Sequence, residues 1–234
     1  MNSPALERLG VSLDELVLQV HAVDDPRRGL FDPGQAERWV HAFARRIGRP
    51  MRVALPAYDV RVTWRSDGRL ASVEGEMPLR TGRGGEVLAV APEAVLKFLH
   101  EMRRGAPEGL VGIVWFRLPT DADSRAWSLA TWRAVIAGEL PAFRLSAGLV
   151  PAERPGLWTV TLSNDGPVDA PLPRQVRLDP ACEMADGANG FKLAAAGGPL
   201  VLEATGSDRL RADRKRIIGW ARCTDPRRTL DVVQ

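Results

Sequence analysis

Residues 32–58, DPGQAERWVHAFARRIGRPMRVALPAY, carry the first decision about this fold. Asp32 stands at an N-cap position, Pro33 at the first helical position and Gln35 three residues past the cap, a combination that starts a helix. Behind them Ala36, Trp39, Val40, Phe43, Ala44 and Ile47 recur at helical spacing and make one apolar face, which Gly48 closes. Arg52 to Tyr58 then reads as a strand. Upstream, Leu16-Val17-Leu18-Gln19-Val20-His21 opens with the continuous apolar character of a buried parallel strand. Together these segments make one βαβ unit.

The pattern continues outward on both sides. Ser3-Pro4 is read as the start of a short first helix. Val60, Val62 and Trp64 alternate with polar residues, Ser66-Asp67-Gly68 turns the chain, and Leu70 to Glu76 runs back, so a β-hairpin insertion is expected over 59–77. Pro78 to Gly85 is read as a mobile loop. A second helix begins at Pro92, with Val95, Phe98, Leu99 and Met102 on one face. Val111 to Leu118 is its strand, and a last helix runs through Trp127, Ala130, Thr131, Ala134 and Val135. From Phe143 the period falls to two. Short strands around 157–162, 175–178, 190–194, 200–204 and 216–223 are separated by turn signals such as Asn164-Asp165-Gly166 and Gly197-Gly198-Pro199. That spacing is expected of a small β-sandwich. The boundary falls near Gly138 to Pro141, giving an α/β part over 1–140 and a β-rich part over 141–234.

Composition narrows the function classes. The chain has 234 residues, 45% hydrophobic and 26% charged, which is ordinary for a globular protein. No apolar run is long enough for a transmembrane helix, and the amino terminus has no signal-peptide pattern. The net charge is +3, and the arginines come as separated pairs with acidic residues between them. A nucleic-acid binder gathers its basic residues on one face, so no nucleic-acid partner is expected. His21, His41 and His100 lack metal-ligand spacing, and the chain has neither a phosphate loop nor a Gly-x-Ser-x-Gly elbow. No cofactor or metal is expected.

In parallel α/β folds, ligands bind at the carboxyl ends of the strands. Alternation along the strands places Val17, Gln19 and His21 on one face and Ile113, Trp115 and Arg117 on another facing it. Tyr58, the only tyrosine, ends the second strand. Gln19, His21, Tyr58, Trp115, Arg117 and Asp121 are therefore expected to line one mouth. A polar cluster floored by aromatic rings suits a hydroxyl-rich ligand. Of the nearby carboxylates, Asp24 and Asp25 read as a turn, Asp123 as a helix cap, and none forms a convincing pair for glycoside hydrolysis with Asp59 or Asp121. No catalytic residue is assigned. Cys182 and Cys223 both lie in the β-rich part, without a CxxC spacing. They are read as a disulfide if the protein works in an oxidising compartment, and as buried thiols in the cytosol.

Three passages carry a resemblance. Asp14 to His21, Val53-Ala54-Leu55-Pro56-Ala57-Tyr58, and Gly112 to Leu118 with Asp121 and Asp123 resemble strands six, seven and eight of chitinase-like (family eighteen) glycoside hydrolase barrels. The hairpin resembles the insertion after their seventh strand. More closely, the stretch from Leu18 to Trp132, with the motifs QVH, ALPAY and GIVWFRLPTDAD, resembles a family of uncharacterised bacterial proteins known as a domain of unknown function. The resemblance implies the carboxyl-terminal part of a (β/α)8 barrel followed by a β-sandwich, and a glycan as ligand. It also implies departures. The sixth strand of the enzymes ends in Met-x-Tyr-Asp, where this chain has Gln19, Val20, His21 and Ala22, and Asp59 stands where glycine is usual. The enzymes' catalytic acid ends the fourth strand, which this chain has no position to carry. About 140 residues of α/β pattern also fall short of the roughly 250 a closed barrel takes. The expectation is thus a barrel lacking its amino-terminal part, inactive alone, from a parent working in the periplasm or envelope; the other reading is a non-enzymatic envelope scaffold or binding protein.

Overall fold

The helix that starts at Asp32 forms by the local rules that predict it. In the computed structural model, the Asp32 side chain accepts from the Gln35 backbone N–H, Pro33 opens the first turn, and Gly48 closes the last in the left-handed region at φ 59°. The structure describes residues 12–22, 29–75, 85–120, 123, 125–194, 198–206 and 208–234. Ser3-Pro4 and nearly all of Pro78–Gly85 lie outside them. The chain divides into two compact units, Met1–Leu140 and Pro141–Gln234.

In the first unit, β1 (Leu16–Gln19), α1 (Pro33–Ile47), β2 (Met51–Pro56), β3 (Val60–Trp64), β4 (Leu70–Glu74), β5 (Glu86–Leu88), α2 (Pro92–Gly105), β6 (Leu110–Phe116) and α3 (Leu129–Ala137) follow in order. β1, β2 and β6 form a three-stranded parallel sheet with β2 in the middle. Leu16, Leu18, Met51, Val53, Leu55, Ile113 and Trp115 all pack into the core that the helices build with Val40, Phe43, Phe98 and Val135. The core thus lies on one face of the sheet. Val17, Gln19 and Phe116 are exposed, and Arg52 extends across Gly112 on the opposite face. β3 pairs antiparallel with β4 across the Ser66–Gly68 turn and with β5 on its other edge. That makes a second three-stranded sheet.

The second unit holds β7 (Leu145–Pro151), β8 (Leu157–Asn164), β9 (Ala170–Pro171), β10 (Gln175–Arg177), β11 (Cys182–Gly187), β12 (Phe191–Leu193), β13 (Val201–Ala204), β14 (Arg209–Leu210), β15 (Arg214–Cys223) and β16 (Thr229–Val233). Eight of these strands form one antiparallel sheet in the order β11-β15-β8-β7-β16-β10-β13-β12, while β9 and β14 pair separately. The two edge strands, β11 and β12, are consecutive in the chain, joined across residues 188–190. At Gly187 the two backbones come so close that a Cβ would fall 2.4 Å from the Phe191 carbonyl oxygen, so only glycine fits there. The sheet curls until its ends nearly meet around Leu149, Val160, Leu162, Val176, Leu202, Ile218 and Ala221.

Two expectations fail here. The chain is not part of a (β/α)8 barrel: among the described residues it is mostly β-structure with three short helices, and its parallel sheet stops at three strands and stays open. The βαβ pattern specifies which neighbours pair and on which side the helix crosses, but closure depends on strand number and stagger, which local periodicity does not encode. Nor does the second unit form a sandwich of two facing sheets. Period-two alternation is equally satisfied by one sheet curled over its own core, and the strand order chooses between them. No described helix is long and apolar enough to cross a membrane.

Candidate functional site

The carboxyl ends of the three parallel strands bring His21, Tyr58, Phe116 and Arg117 together. The His21 ring centroid lies 5.8 Å from Tyr58, edge to face, and 5.6 Å from Phe116, while Tyr58 and Phe116 are 5.7 Å apart. The Arg117 guanidinium sits 5.1 Å above the Tyr58 ring, within cation–π reach. His21 is 2% exposed, and among the described residues neither ring nitrogen has a partner in hydrogen-bond geometry. Burial pulls its pKa down to about 4, outweighing the nearby Ala54 backbone, so the ring is neutral near pH 7. Burial also pushes the Tyr58 phenol up, against the opposing pull of Arg117. Phe116 is 48% exposed and Leu118 is exposed beside it. Gln19 is exposed on β1, and its amide donates to the His21 carbonyl at 3.0 Å.

A layer of paired charges holds this cluster. Arg117 donates through Nε to Asp123 Oδ2 at 2.9 Å, and the other Asp123 oxygen accepts from the backbone N–H groups of Arg125 and Ala126 at 3.0 and 3.1 Å. Arg125 in turn binds Glu74, donating to its backbone carbonyl at 2.9 Å and to its carboxylate at 3.1 Å, with both side chains nearly buried. Asp59 Oδ1 accepts from the Val90 N–H at 2.7 Å, and the Trp127 indole donates to the Val90 carbonyl at 2.9 Å. A Tyr58–Ala126 bridge fastens the end of β2 to the same segment. Every carboxylate of this layer (Asp59, Glu74 and Asp123) thus accepts from a donor that fixes the backbone or an arginine. No group of three His, Cys, Asp or Glu placed to hold a metal occurs among the described residues.

Of the expected lining residues, the structure brings Gln19, His21, Tyr58 and Arg117 to the strand ends. Trp115 is elsewhere. It points to the helix side, 6.3 Å from Trp127 and 5.8 Å from Trp132, and belongs to the core. The alternation runs opposite to expectation: Ile113 and Trp115 point inward, and Phe116 takes the place at the mouth. Asp121 lies outside the described residues. Glu74 and Arg125 have no signal in the sequence, because they meet 51 positions apart. Cys182 and Cys223, directly paired on β11 and β15, are joined by a disulfide.

No curated protein matches this chain. Among solved structures, chitinase ChiA74 from Bacillus thuringiensis is similar over 97% of this chain and 63% of its own, at 9% identity and a TM-score of 0.32. The chain therefore spans less than two thirds of that chitinase, and so distant a likeness carries neither fold nor function. Residues 147–224 match the family model described as Domain of unknown function (DUF8456). Residues 1–121, more than half of the sequence, match the one described as Domain of unknown function (DUF3142), and the chain belongs to that family.

Proposed function

We propose that the strand-end cluster binds carbohydrate and does not hydrolyse it. The observation that carries this reading is the contrast between a half-exposed Phe116 ring, standing on neutral His21 and Tyr58, and the engaged carboxylates beneath it. An exposed aromatic face packs against the apolar C–H side of a sugar ring. Gln19 and Arg117 at the rim supply the few directional hydrogen bonds that orient a ligand on an otherwise apolar floor. Hydrolysis asks for two carboxyl groups flanking the glycosidic bond, one of them protonated. Asp123, Asp59 and Glu74 are instead engaged by backbone N–H groups and arginines.

Titration with chitohexaose, followed by calorimetry, tests the reading. Binding is expected in the unaltered chain, with Phe116→Ala weakening it tenfold or more. Release of reducing ends by the purified protein, or binding that Phe116→Ala leaves unchanged, would overturn it.

A further inference from the structure

Of the three asparagines in the chain, Asn189 is the one followed by glycine. It sits in the turn that joins the two edge strands of the second unit, β11 and β12. The Phe191 N–H donates to the Ala188 carbonyl at 3.1 Å and closes this turn, whose central residues are Asn189 at φ 49° and Gly190 at φ 93°. An Asn-Gly pair meets that demand, because asparagine tolerates positive φ and glycine adopts it without strain. Opposite the turn, β15 slips register between Ile217 and Gly219. Two successive carbonyls there accept from the turn, Ile218 from the Ala188 N–H at 2.9 Å and Ile217 from the Asn189 side-chain amide, also at 2.9 Å. The Asn189 amide thus ties the junction of the edge strands to β15.

The same side chain is placed for a reaction of its own. Asn189 and Gly190 are exposed, and among the described residues the Gly190 N–H donates to no acceptor. A peptide nitrogen without a partner, on a residue with no side chain to shield it, is open to attack the amide carbon of the residue before it. Asn164 makes the contrast. It is 1% exposed, and its amide donates to both the Val168 and the Leu210 carbonyl. The N–H that follows it, that of Asp165, donates to the Arg144 carbonyl at 2.9 Å. At Asn164 the nitrogen is occupied and the amide is held twice; at Asn189 the nitrogen is free and one bond holds the amide.

We infer that Asn189–Gly190 is a site of spontaneous covalent modification, at which the side-chain amide is lost and the turn comes to hold aspartate or isoaspartate. The Gly190 nitrogen gives its proton to solvent hydroxide and bonds to Asn189 Cγ, and the Cγ–Nδ2 bond breaks to release ammonia. Water then opens the resulting succinimide at either carbonyl, so the step draws only on solvent. Ring closure takes Asn189 out of its turn geometry, and its rate therefore follows local opening of the β11–β12 junction. Either product lacks the Nδ2 donor and leaves the Ile217 carbonyl without it. Isoaspartate also adds a methylene to the main chain of the turn. The modification loosens the sheet where its two edge strands join.

Incubation of the whole chain at mildly alkaline pH, beside a synthetic peptide of residues 185–193 as the unfolded reference, tests it by peptide mapping and isoaspartyl methyltransferase labelling. Aspartate and isoaspartate are expected at position 189, forming more slowly than in the peptide, while Asn164 stays intact. Asn189→Gln, whose longer side chain closes a ring far more slowly, should abolish the label. Asn189→Asp, a stable form of one product, should lower the melting temperature of the second unit by several degrees. An Asn189 still intact in the folded chain after about ten half-lives of the peptide overturns the inference, as does conversion at Asn164 as fast as at Asn189. An Asn189→Asp variant that melts with the parent overturns the loosening.

Discussion

The two units answer the same problem, the unpaired edge of a sheet, in different ways. Among the described residues, the parallel sheet of the first unit buries one face under three helices and leaves both outer strands, β1 and β6, as edges. Val17, Val111 and Phe116 are exposed on those edges. The antiparallel sheet of the second unit brings its edge strands together through a three-residue connection and encloses its core. Each unit keeps its order in a different place. The second is held by the curling of one sheet over its own core and by a covalent bond. The first is held by a buried polar layer, Asp123–Arg117, Arg125–Glu74 and Asp59–Val90, that pins its loops to the strand ends. Edges that stay open invite pairing, and the curling of the second sheet brings its two edges face to face.

Three measurements bear on that contrast. The largest effect belongs to the second unit. Replacing Cys182 and Cys223 together with serine removes a cross-link between residues 41 positions apart, and the loop-entropy model puts the loss at about 4 kcal/mol. Calorimetry should show the transition of the second unit falling while that of the first stays put; a uniform shift of both would mean that the units do not unfold separately. Next comes Arg125→Met, which leaves the buried Glu74 carboxylate without its cation. Removing one partner of a buried pair costs about 3 kcal/mol or more, here in the first unit alone, and urea unfolding of the single variant beside Arg125→Met/Glu74→Gln reads it. A single variant as stable as the parent would show that the polar layer is not what holds the strand ends.

The smallest effect is a pH dependence. His21 is held neutral in the folded state with its pKa near 4, below the 6.5 of an exposed histidine. Between those values the unfolded chain takes up a proton that the folded chain refuses, so stability falls as pH drops from about 6.5 towards 4 and levels off below. The difference is on the order of 2 kcal/mol over that window. His21→Leu should flatten that part of the profile. Parallel profiles for the two proteins, from melting temperatures between pH 4 and 7, would remove His21 from the account.

What could be read from the sequence divides along the range of the interactions. Asp32, Pro33 and Gln35 start α1 because capping acts over four residues, and Gly48 ends it for the same reason. Five strands of the second unit, β8, β10, β12, β13 and β15, are legible as strands from alternation alone. The partner of each strand is not: β16 lies between β7 and β10, and no local pattern says so. Closure, which replaces the expected sandwich, lives in that order. At the strand ends, His21, Tyr58 and Arg117 could be named because the rule about carboxyl ends of parallel strands needs only the strands. Parity alone does not place Trp115, because a strand with Ile113, Val114, Trp115 and Phe116 in succession offers no polar residue to mark which side faces out. Glu74 could not be named at all, since its hold on Arg125 exists only once the β3–β4 hairpin has folded back.

The placement of the disulfide has a consequence for cleavage of the backbone. Cys182 opens β11 and Cys223 ends β15, so the covalent loop contains the whole of β12, β13 and β14 as well. A chain cut once at any peptide bond between these two cysteines remains a single covalent molecule, with β11 and β15 still side by side. Such a nick leaves the molecular mass almost unaltered and passes unseen until the thiols are reduced. Reduction then releases two pieces, one carrying the entire first unit and the other the last strands of the ring.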